Sequence, residues 1–227
     1  MFKVDINEIT KESELRQKGK IAELALGYQG GVKALVSMGA YNMNLCESEL
    51  IEIVRAFRSS NTNIVKLWNT VEKAFIEAVN NKSIVHIDKN ISFIYEGNIL
   101  FIKLPSGRRL SYIRPKIDYN NAFNKSVISY EGVDSTTKKN TRLTTYGGKL
   151  VENIVQAIAR DVLGEAMMNL RNKGFNIVMH VHDEIVLEVE NGVSSVEKVV
   201  EIMCKENRYL KGLKLRADGF ESNYYKK

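Results

Sequence analysis

The amino-acid sequence predicts an α+β chain, in which a mostly helical first part precedes antiparallel strands backed by a long helix. Apolar residues recur at helical spacing through residues 63–80 and 150–170. Two pairs of alternating apolar runs, in residues 91–103 and 177–189, each flank a short polar break, which is typical of a β-hairpin. Both prolines, Pro105 and Pro115, lie between the first hairpin and the second long helix, so we place the boundary between two regions there, at residues 1–115 and 116–227.

The first region is expected to hold three helices and one hairpin. The first helix should begin near Ser13 and end at the glycine cluster of residues 27–31. Residues 47–57 and 63–80 should form two more helices, with Trp68 of the last one in the core. Residues 91–95 and 99–103 should then pair across Glu96-Gly97-Asn98.

The second region is expected to begin with an irregular surface segment and to end with a helix. Residues 116–142 are polar and rich in Asn, Ser and Thr, and part of this segment is expected to be a mobile loop. A long helix over residues 150–170 should follow, with an apolar stripe and with Gln156 and Arg160 on another face. Ser194 and Glu197 have the spacing of a capping box, so a last helix should begin there.

Bulk composition bounds the class of protein. The chain has 227 residues and a formal net charge of +6, which favours an anionic partner such as nucleic acid. Only Cys46 and Cys204 are present, as expected for reduced thiols in the cytoplasm. No membrane span or signal peptide is expected, because no apolar run approaches the required length of about 18 residues.

The first predicted helix carries an unusual stripe of side chains. Arg16, Lys20, Leu24 and Tyr28 recur every four residues, so they follow one another along one face. Arginine can donate two hydrogen bonds at once to phosphate oxygens, and lysine acts as a point charge. The stripe could therefore hold a triphosphate at its cationic end and a base or sugar at its apolar end. The alternative is a solvated basic face ending at a glycine-rich cap.

The break in the second predicted hairpin is acidic. His182, Asp183 and Glu184 separate its two alternating runs, where Asn-Gly or Gly-Gly would be usual. Mg²⁺ takes oxygen ligands, usually one or two carboxylates together with substrate phosphates. The turn is therefore either a metal-binding carboxylate pair or an ordinary exposed acidic turn.

Together these segments resemble family A DNA polymerases, especially the phage-type ones. Arg16-x-x-x-Lys20-x-x-x-Leu24-x-x-x-Tyr28 resembles the family's nucleotide-binding helix. Residues 146–161 resemble the palm helix whose glutamine contacts the template-primer, and Val181-His182-Asp183-Glu184 resembles the carboxylate hairpin. The resemblance runs from about Ile9 to the C-terminus in the family's order. It implies a fingers region at residues 1–115 and part of a palm at residues 116–227.

The resemblance implies template-directed addition of deoxynucleotides to a primer by two-metal phosphoryl transfer. It assigns catalysis to Asp183, Glu184 and Lys20, with the two carboxylates holding two Mg²⁺ ions. It places Arg16, Lys20, Leu24 and Tyr28 against the incoming dNTP. It places Gln156, Arg160 and His182 against the primer-template DNA.

The sequence also departs from the family's pattern. The palm-strand aspartate that precedes the nucleotide-binding helix has no counterpart, and Asp5 is a weak candidate for its role. Thumb and exonuclease regions are absent, Gln17 stands where many members have a second arginine, and Leu24 stands where better-known members have Phe or Tyr. We therefore expect a portion of a polymerase, from a split gene, a remnant or an excised fragment. It should be inactive alone and need an upstream half carrying the missing aspartate.

Two other functions remain open from the sequence. A catalytically inert nucleic-acid-binding remnant is favoured by the missing aspartate. A zinc hydrolase could use His180, His182 and Asp183, although the remaining histidine, His86, is distant and zinc sites need three or four ligands.

Overall fold

The structure is a computed structural model of the chain, and it describes residues 10, 13–43, 45–120 and 125–225. The predicted α+β class is confirmed by six α-helices and two antiparallel sheets among these residues. The helices are α1 (Glu14–Leu26), α2 (Val32–Ser37), α3 (Glu47–Ser60), α4 (Thr62–Asn81), α5 (Gly147–Asn172) and α6 (Val196–Met203), with a short 3₁₀ helix at Ala40–Met43. The strands are β1 (Ile84–His86), β2 (Ser92–Glu96), β3 (Ile99–Lys103), β4 (Arg109–Asn120), β5 (Lys125–Val133), β6 (Asn140–Thr145), β7 (Asn176–Val181) and β8 (Glu184–Glu188).

The chain divides into two compact units. The first contains Met1–Lys103 and Arg109–Ile154, and the second contains Leu104–Arg108 and Val155–Lys227. Helix α5 belongs to the first unit up to Ile154 and to the second from Val155. The functional regions at residues 1–115 and 116–227 stay predictions.

The first unit is built on a six-stranded sheet in which β1 to β6 are neighbours in chain order and all pairs are antiparallel. Helix α4 packs on one face of this sheet through Phe75, which meets the rings of Phe93 and Tyr112 edge to face. Tyr112 in turn meets Tyr130 of β5 at a centroid distance of 4.9 Å. Trp68 is buried, as predicted. An aromatic core therefore joins α4 to strands β2, β4 and β5.

Strand β4 is interrupted at Pro115, which lacks the amide hydrogen that a central strand donates. The register shifts between Ile113 and Lys116, and Arg114 has a φ of +43°. Glu131 accepts from Arg114 Nη1 at 2.9 Å and from Arg142 Nη2 at 3.1 Å. Arg142 Nη1 also donates to the Arg114 carbonyl at 3.1 Å. These charge-assisted bonds hold the bulge across three strands.

The prediction of an irregular segment over residues 116–142 was wrong for most of its length. Lys116 to Asn120 belong to β4, residues 125–133 form β5, and β6 begins at Asn140. The polar composition is explained by alternation, since Ile128 faces the core while Lys116 is exposed. Polar residues on an exposed sheet face gave the sequence the appearance of a loop.

The second unit contains the later part of α5, the β7–β8 hairpin and α6. The predicted hairpin is confirmed, with Val181 opposite Glu184 next to its turn. The last helix begins one residue later than expected, because Ser195 rather than Ser194 is its N-cap and accepts from the Lys198 amide at 3.4 Å. Among the described helices, none is long and apolar enough to cross a membrane.

Tyr112 should make the first unit less stable at alkaline pH. Burial raises the pKa of Tyr112 to about 12 from its ordinary value of 10.0, although Asn153 Nδ2 donates to its hydroxyl at 2.9 Å and partly opposes the shift. Because the folded pKa is raised, the stabilisation is complete below pH 10 and is lost as the pH rises toward 12. Between pH 10 and pH 12, the free energy of unfolding of Tyr112→Phe should therefore rise by roughly 1–3 kcal/mol relative to that of the wild type. Urea unfolding at pH 8 to 12 measures this gain, and parallel profiles would contradict it.

Candidate functional site

The predicted stripe on α1 lies on its exposed side. Arg16, Lys20 and Leu24 are exposed, whereas Ala22 and Leu26 are buried on the other side of the helix. The separation follows from the 3.6-residue period of the helix. Tyr28, half-buried, lies just beyond the helix in the turn that follows Gly27. The structure therefore exposes Arg16, Lys20 and Leu24, whereas Tyr28 does not lie on the helix where the stripe predicted it.

The turn after α1 is fixed by hydrogen bonds from three other helices of the first unit. Trp68 Nε1 on α4 donates to the Gly27 carbonyl at 3.1 Å. Arg58 Nη2 on α3 donates to the Gly30 carbonyl at 3.1 Å. The Gly148 amide on α5 donates to Gln29 Oε1 at 2.9 Å. Tyr28 is thus held between two anchored glycines.

The N-terminus of α5 packs directly on this turn. A Cβ at Gly148 would overlap the Tyr28 carbonyl oxygen, and a Cβ at Gly147 would overlap the Trp68 carbonyl oxygen. Glu72 Oε2 accepts from the Gly147 amide at 2.8 Å, and Gln29 accepts from the next amide. Both amides are among the four that a helix N-terminus leaves without intrahelical partners, and a carboxylate is favourable there.

The structure thus brings together two motifs that are over a hundred residues apart in the chain. The sequence analysis named Tyr28 and the segment 146–161, which contains Gly147 and Gly148, but it missed Gln29 and Glu72 as partners of these glycines. The signal that could have pointed to a partner was the pair of glycines at a helix start, because glycine permits close backbone approach.

The carboxylate turn of the second unit is a tight connection between β7 and β8. His182 and Asp183 form the turn, and Glu184 begins β8. His182 has a φ of +53°, and both of the turn types that usually connect two-residue hairpins, I′ and II′, require a positive φ at this first central position. Glycine is the usual residue there, so the left-handed histidine carries a conformational cost of about 1–2 kcal/mol. Asp183 is exposed and Glu184 is half-buried.

A β-bulge in β7 changes which side chains share a face. The register shifts between Ile177 and Met179, so Val178 is the extra residue. Ile177 pairs with Leu187 and Met179 pairs with Val186, which places Ile177 and Met179 on opposite faces. The regular alternation that the sequence suggested for this strand therefore fails at the bulge.

Gln156 and Arg160 are both exposed on α5, four residues apart. Arg160 Nη2 lies 3.2 Å from His180 Nε2. A guanidinium can only donate, so the imidazole nitrogen is the acceptor in this contact. The sequence analysis assigned Arg160 and His182 to DNA contact and did not foresee that Arg160 contacts His180.

Arg160 also lines a groove of about 560 Å³ within the second unit. Neighbouring charges in this groove are already paired, since Arg108 Nε lies 2.7 Å from Asp161 and Arg208 Nε lies 3.4 Å from Glu165. Ser106 Oγ also donates to Asp161 at 2.6 Å. The carboxylates of the groove are thus neutralised by arginines from outside α5.

The donors at the hairpin turn fit part of a magnesium site. Asp183 and Glu184 offer carboxylate oxygens, and Mg²⁺ is usually held by one or two such groups together with phosphates and water. No group of three or more His, Cys, Asp or Glu side chains placed to hold a metal exists within the described part of the chain. The zinc alternative therefore finds no ligand set there, and Asp5 lies outside the described residues.

Comparison with known proteins gives one informative match. The chain is 54% identical, over all 227 of its residues, to a protein named DNA polymerase from Bacillus phage SP02. It spans 35% of the length of that relative. No family model matches the sequence, and no solved structure matches it. The match supports a portion of a phage-type DNA polymerase.

Proposed function

We propose that the chain is the portion of a family A DNA polymerase that binds the incoming nucleotide and supplies one side of the metal site. The observation that carries this proposal is the 54% identity to a phage DNA polymerase along the whole chain. All three segments that resemble family A motifs lie within the matched region. The proposed reaction joins a deoxynucleotide to the 3′ end of a primer opposite a DNA template.

The exposed stripe on α1 would bind the dNTP. Arg16 and Lys20 would neutralise the triphosphate, since phosphoryl transfer depends mainly on positioning and on electrostatic stabilisation. Leu24 and Tyr28 would lie against the base and sugar. The three anchors on the turn after α1 support this role for Tyr28, because a backbone held in place limits the positions that its side chain can take.

Asp183 would hold Mg²⁺ at the hairpin turn, with Glu184 as the lesser ligand. Two such ions, when bound, stabilise the charge on the attacking and leaving oxygens. A tight turn suits this role, because its exposed carboxylate can reach a shared metal while β7 and β8 hold its position. Gln156, Arg160 and His182 would contact the primer-template.

Within the described residues, Asp183 and Glu184 are not joined by a third candidate ligand, because no group of three or more His, Cys, Asp or Glu is placed there to hold a metal. We therefore propose that a further aspartate comes from polypeptide beyond these 227 residues, as expected if an upstream polymerase half carries it. The alternative, an inert nucleic-acid-binding remnant, is favoured by the same shortage of ligands.

Primer extension with Mg²⁺ and dNTPs separates these possibilities. The purified chain alone should extend a primer at no useful rate. Mixing it with the part of the SP02 polymerase outside the matched region should restore extension. Failure of the mixture, with both pieces folded and bound to DNA, would favour the inert remnant. Robust extension by the chain alone would place the missing ligand within it, and Asp5 would then be the first residue to test.

A further inference from the structure

Positive charge is concentrated in the segment of the chain that contains strands β4 to β6, with Arg108 of the second unit and Lys149 of α5 near its ends. Residues 103–149 contain ten Lys and Arg against three Asp and Glu, a net charge of +7. The remaining residues contain 23 Lys and Arg against 24 Asp and Glu, a net charge of −1. This segment therefore accounts for the whole net charge of +6, although it contains none of the residues assigned above to nucleotide or metal.

Strand pairing places much of this charge on one surface. Lys103 pairs with Arg109, and Lys116 and Arg142 pair with residues of β5 that share that same face. This face is opposite to the one on which α4 packs through Phe93 and Tyr112. We define the outer sheet face as this surface of β3–β6 together with the β5–β6 turn. Its exposed cations are Lys103, Arg109, Arg114, Lys116, Lys138 and Lys139.

The nearby acids are largely occupied by structural bonds. Glu131 is shared by Arg114 and Arg142, and Arg109 lies 3.2 Å from Glu96. Asp134 Oδ1 accepts from the Thr136 and Thr137 amides at 3.1 and 2.7 Å, and these bonds hold the pKa of Asp134 below its ordinary value. Glu96, Glu131 and Asp134 therefore each fix the local backbone or an arginine. Asp118 is exposed on β4, two residues from Lys116 and on the same face. The exposed lysines of this face outnumber Asp118 and carry the charge excess.

The aromatic residues of this sheet distinguish between two ways of binding a nucleic acid. Tyr112 and Tyr130 point toward α4 and pack in the core, and Arg109 covers the ring of Phe101 on the outer face. Tyr119 is exposed, but it pairs with Ser126 and so lies on the face of Ile128 rather than on the outer face. Proteins that bind single strands need exposed rings on which bases stack. A surface of lysines, arginines and hydroxyls instead suits the phosphate backbone of a duplex.

We propose that the outer sheet face binds the phosphate backbone of double-stranded DNA, without reading its sequence. The choice of DNA as the polyanion rests on the proposed polymerase function. The surface would be a second DNA contact, separate from Gln156, Arg160 and His182. It would hold the duplex through counterion release, so its contribution should fall steeply with salt.

A triple substitution tests the surface on the intact chain. Lys116→Gln, Lys138→Asn and Lys139→Gln remove three charges, and asparagine suits position 138 because the φ there is +56°. The matched control is Lys66→Gln, Lys73→Gln and Lys89→Gln, which removes the same charge from exposed sites elsewhere in the first unit. Binding of a blunt 30-base-pair duplex is measured from 50 to 300 mM NaCl.

The surface variant should bind the duplex at least about tenfold more weakly at 100 mM salt, and its salt slope should be shallower by roughly 2 to 3. The control should change neither quantity by more than about twofold. Equal losses in both variants, or a loss seen only with single-stranded DNA, would overturn the proposal. Primer extension by the complemented chain is scored separately. Duplex binding through this face without primer extension would contradict the proposed function alone. Primer extension without duplex binding through this face would contradict this inference alone.

Discussion

Asp183→Asn should lower primer extension by the complemented chain by roughly 10³-fold or more, while leaving DNA binding within about twofold of the wild type. The side chain keeps its shape but loses the charge that holds a metal, and electrostatic stabilisation of the reacting oxygens depends on that metal. Most DNA affinity comes instead from cationic contacts to phosphate. Single-turnover extension and duplex affinity, measured on the same preparations, check the two halves of this expectation.

Two further substitutions, Glu184→Gln and Lys20→Ala, are compared with Asp183→Asn. Glu184→Gln should lower the rate of primer extension by about 10- to 100-fold, as expected for a group that supports a ligand rather than holding the metal by itself. Lys20→Ala should weaken the incoming nucleotide much more than DNA, because its exposed charge on α1 is assigned to the triphosphate. Near wild-type extension by Asp183→Asn would refute the metal role, and equal weakening of nucleotide and DNA by Lys20→Ala would contradict the assignment of that lysine.

Gly148→Ala should destabilise the chain by roughly 3 kcal/mol, because the new methyl group would overlap the Tyr28 carbonyl oxygen. Backbone on both sides of the contact is held by hydrogen bonds, so neither side can move without losing one. The substitution should also weaken dNTP binding by displacing Tyr28. Urea unfolding measures the loss of stability. Nucleotide affinity, measured without urea and well below the thermal unfolding temperature, measures the effect on binding.

Gly164→Ala on the same helix is the matched control. A Cβ at Gly164 would meet no atom within 4 Å, so alanine there should be neutral or stabilising by up to about 1 kcal/mol through helix propensity. If the two alanine variants unfold at the same urea concentration, the close approach of α5 to the turn after α1 does not constrain the molecule.

The sequence predicted the elements whose pattern is local. The helices around Trp68 and along residues 150–170, and the hairpin at Asp183, have regular apolar spacing and clear ends, and all were found where expected. The exposed side of α1 was also predictable, since the spacing of Arg16, Lys20 and Leu24 defines a face without reference to any partner.

The features that the sequence failed to predict depend on partners distant in the chain. Strands β4 to β6 have too many polar residues to resemble strands, and their identity comes from pairing and from rings such as Tyr130 that reach the core. The bulge at Val178 leaves no local signal, because an extra residue becomes visible only against the opposite strand. The capping of α5 by Gln29 and Glu72 likewise requires tertiary contact.

The capping of α5 also has a consequence for the order in which the molecule can form during synthesis. Gln29 and its partner Gly148 are 119 residues apart. At a translation rate of about 5–20 residues per second, roughly 6 to 24 s separate their synthesis. Throughout this interval α1 can form, but the turn that carries Tyr28 lacks its anchor on α5. Completion of the proposed dNTP-binding surface is therefore a late and non-local event, of the kind that slows folding relative to local helix formation.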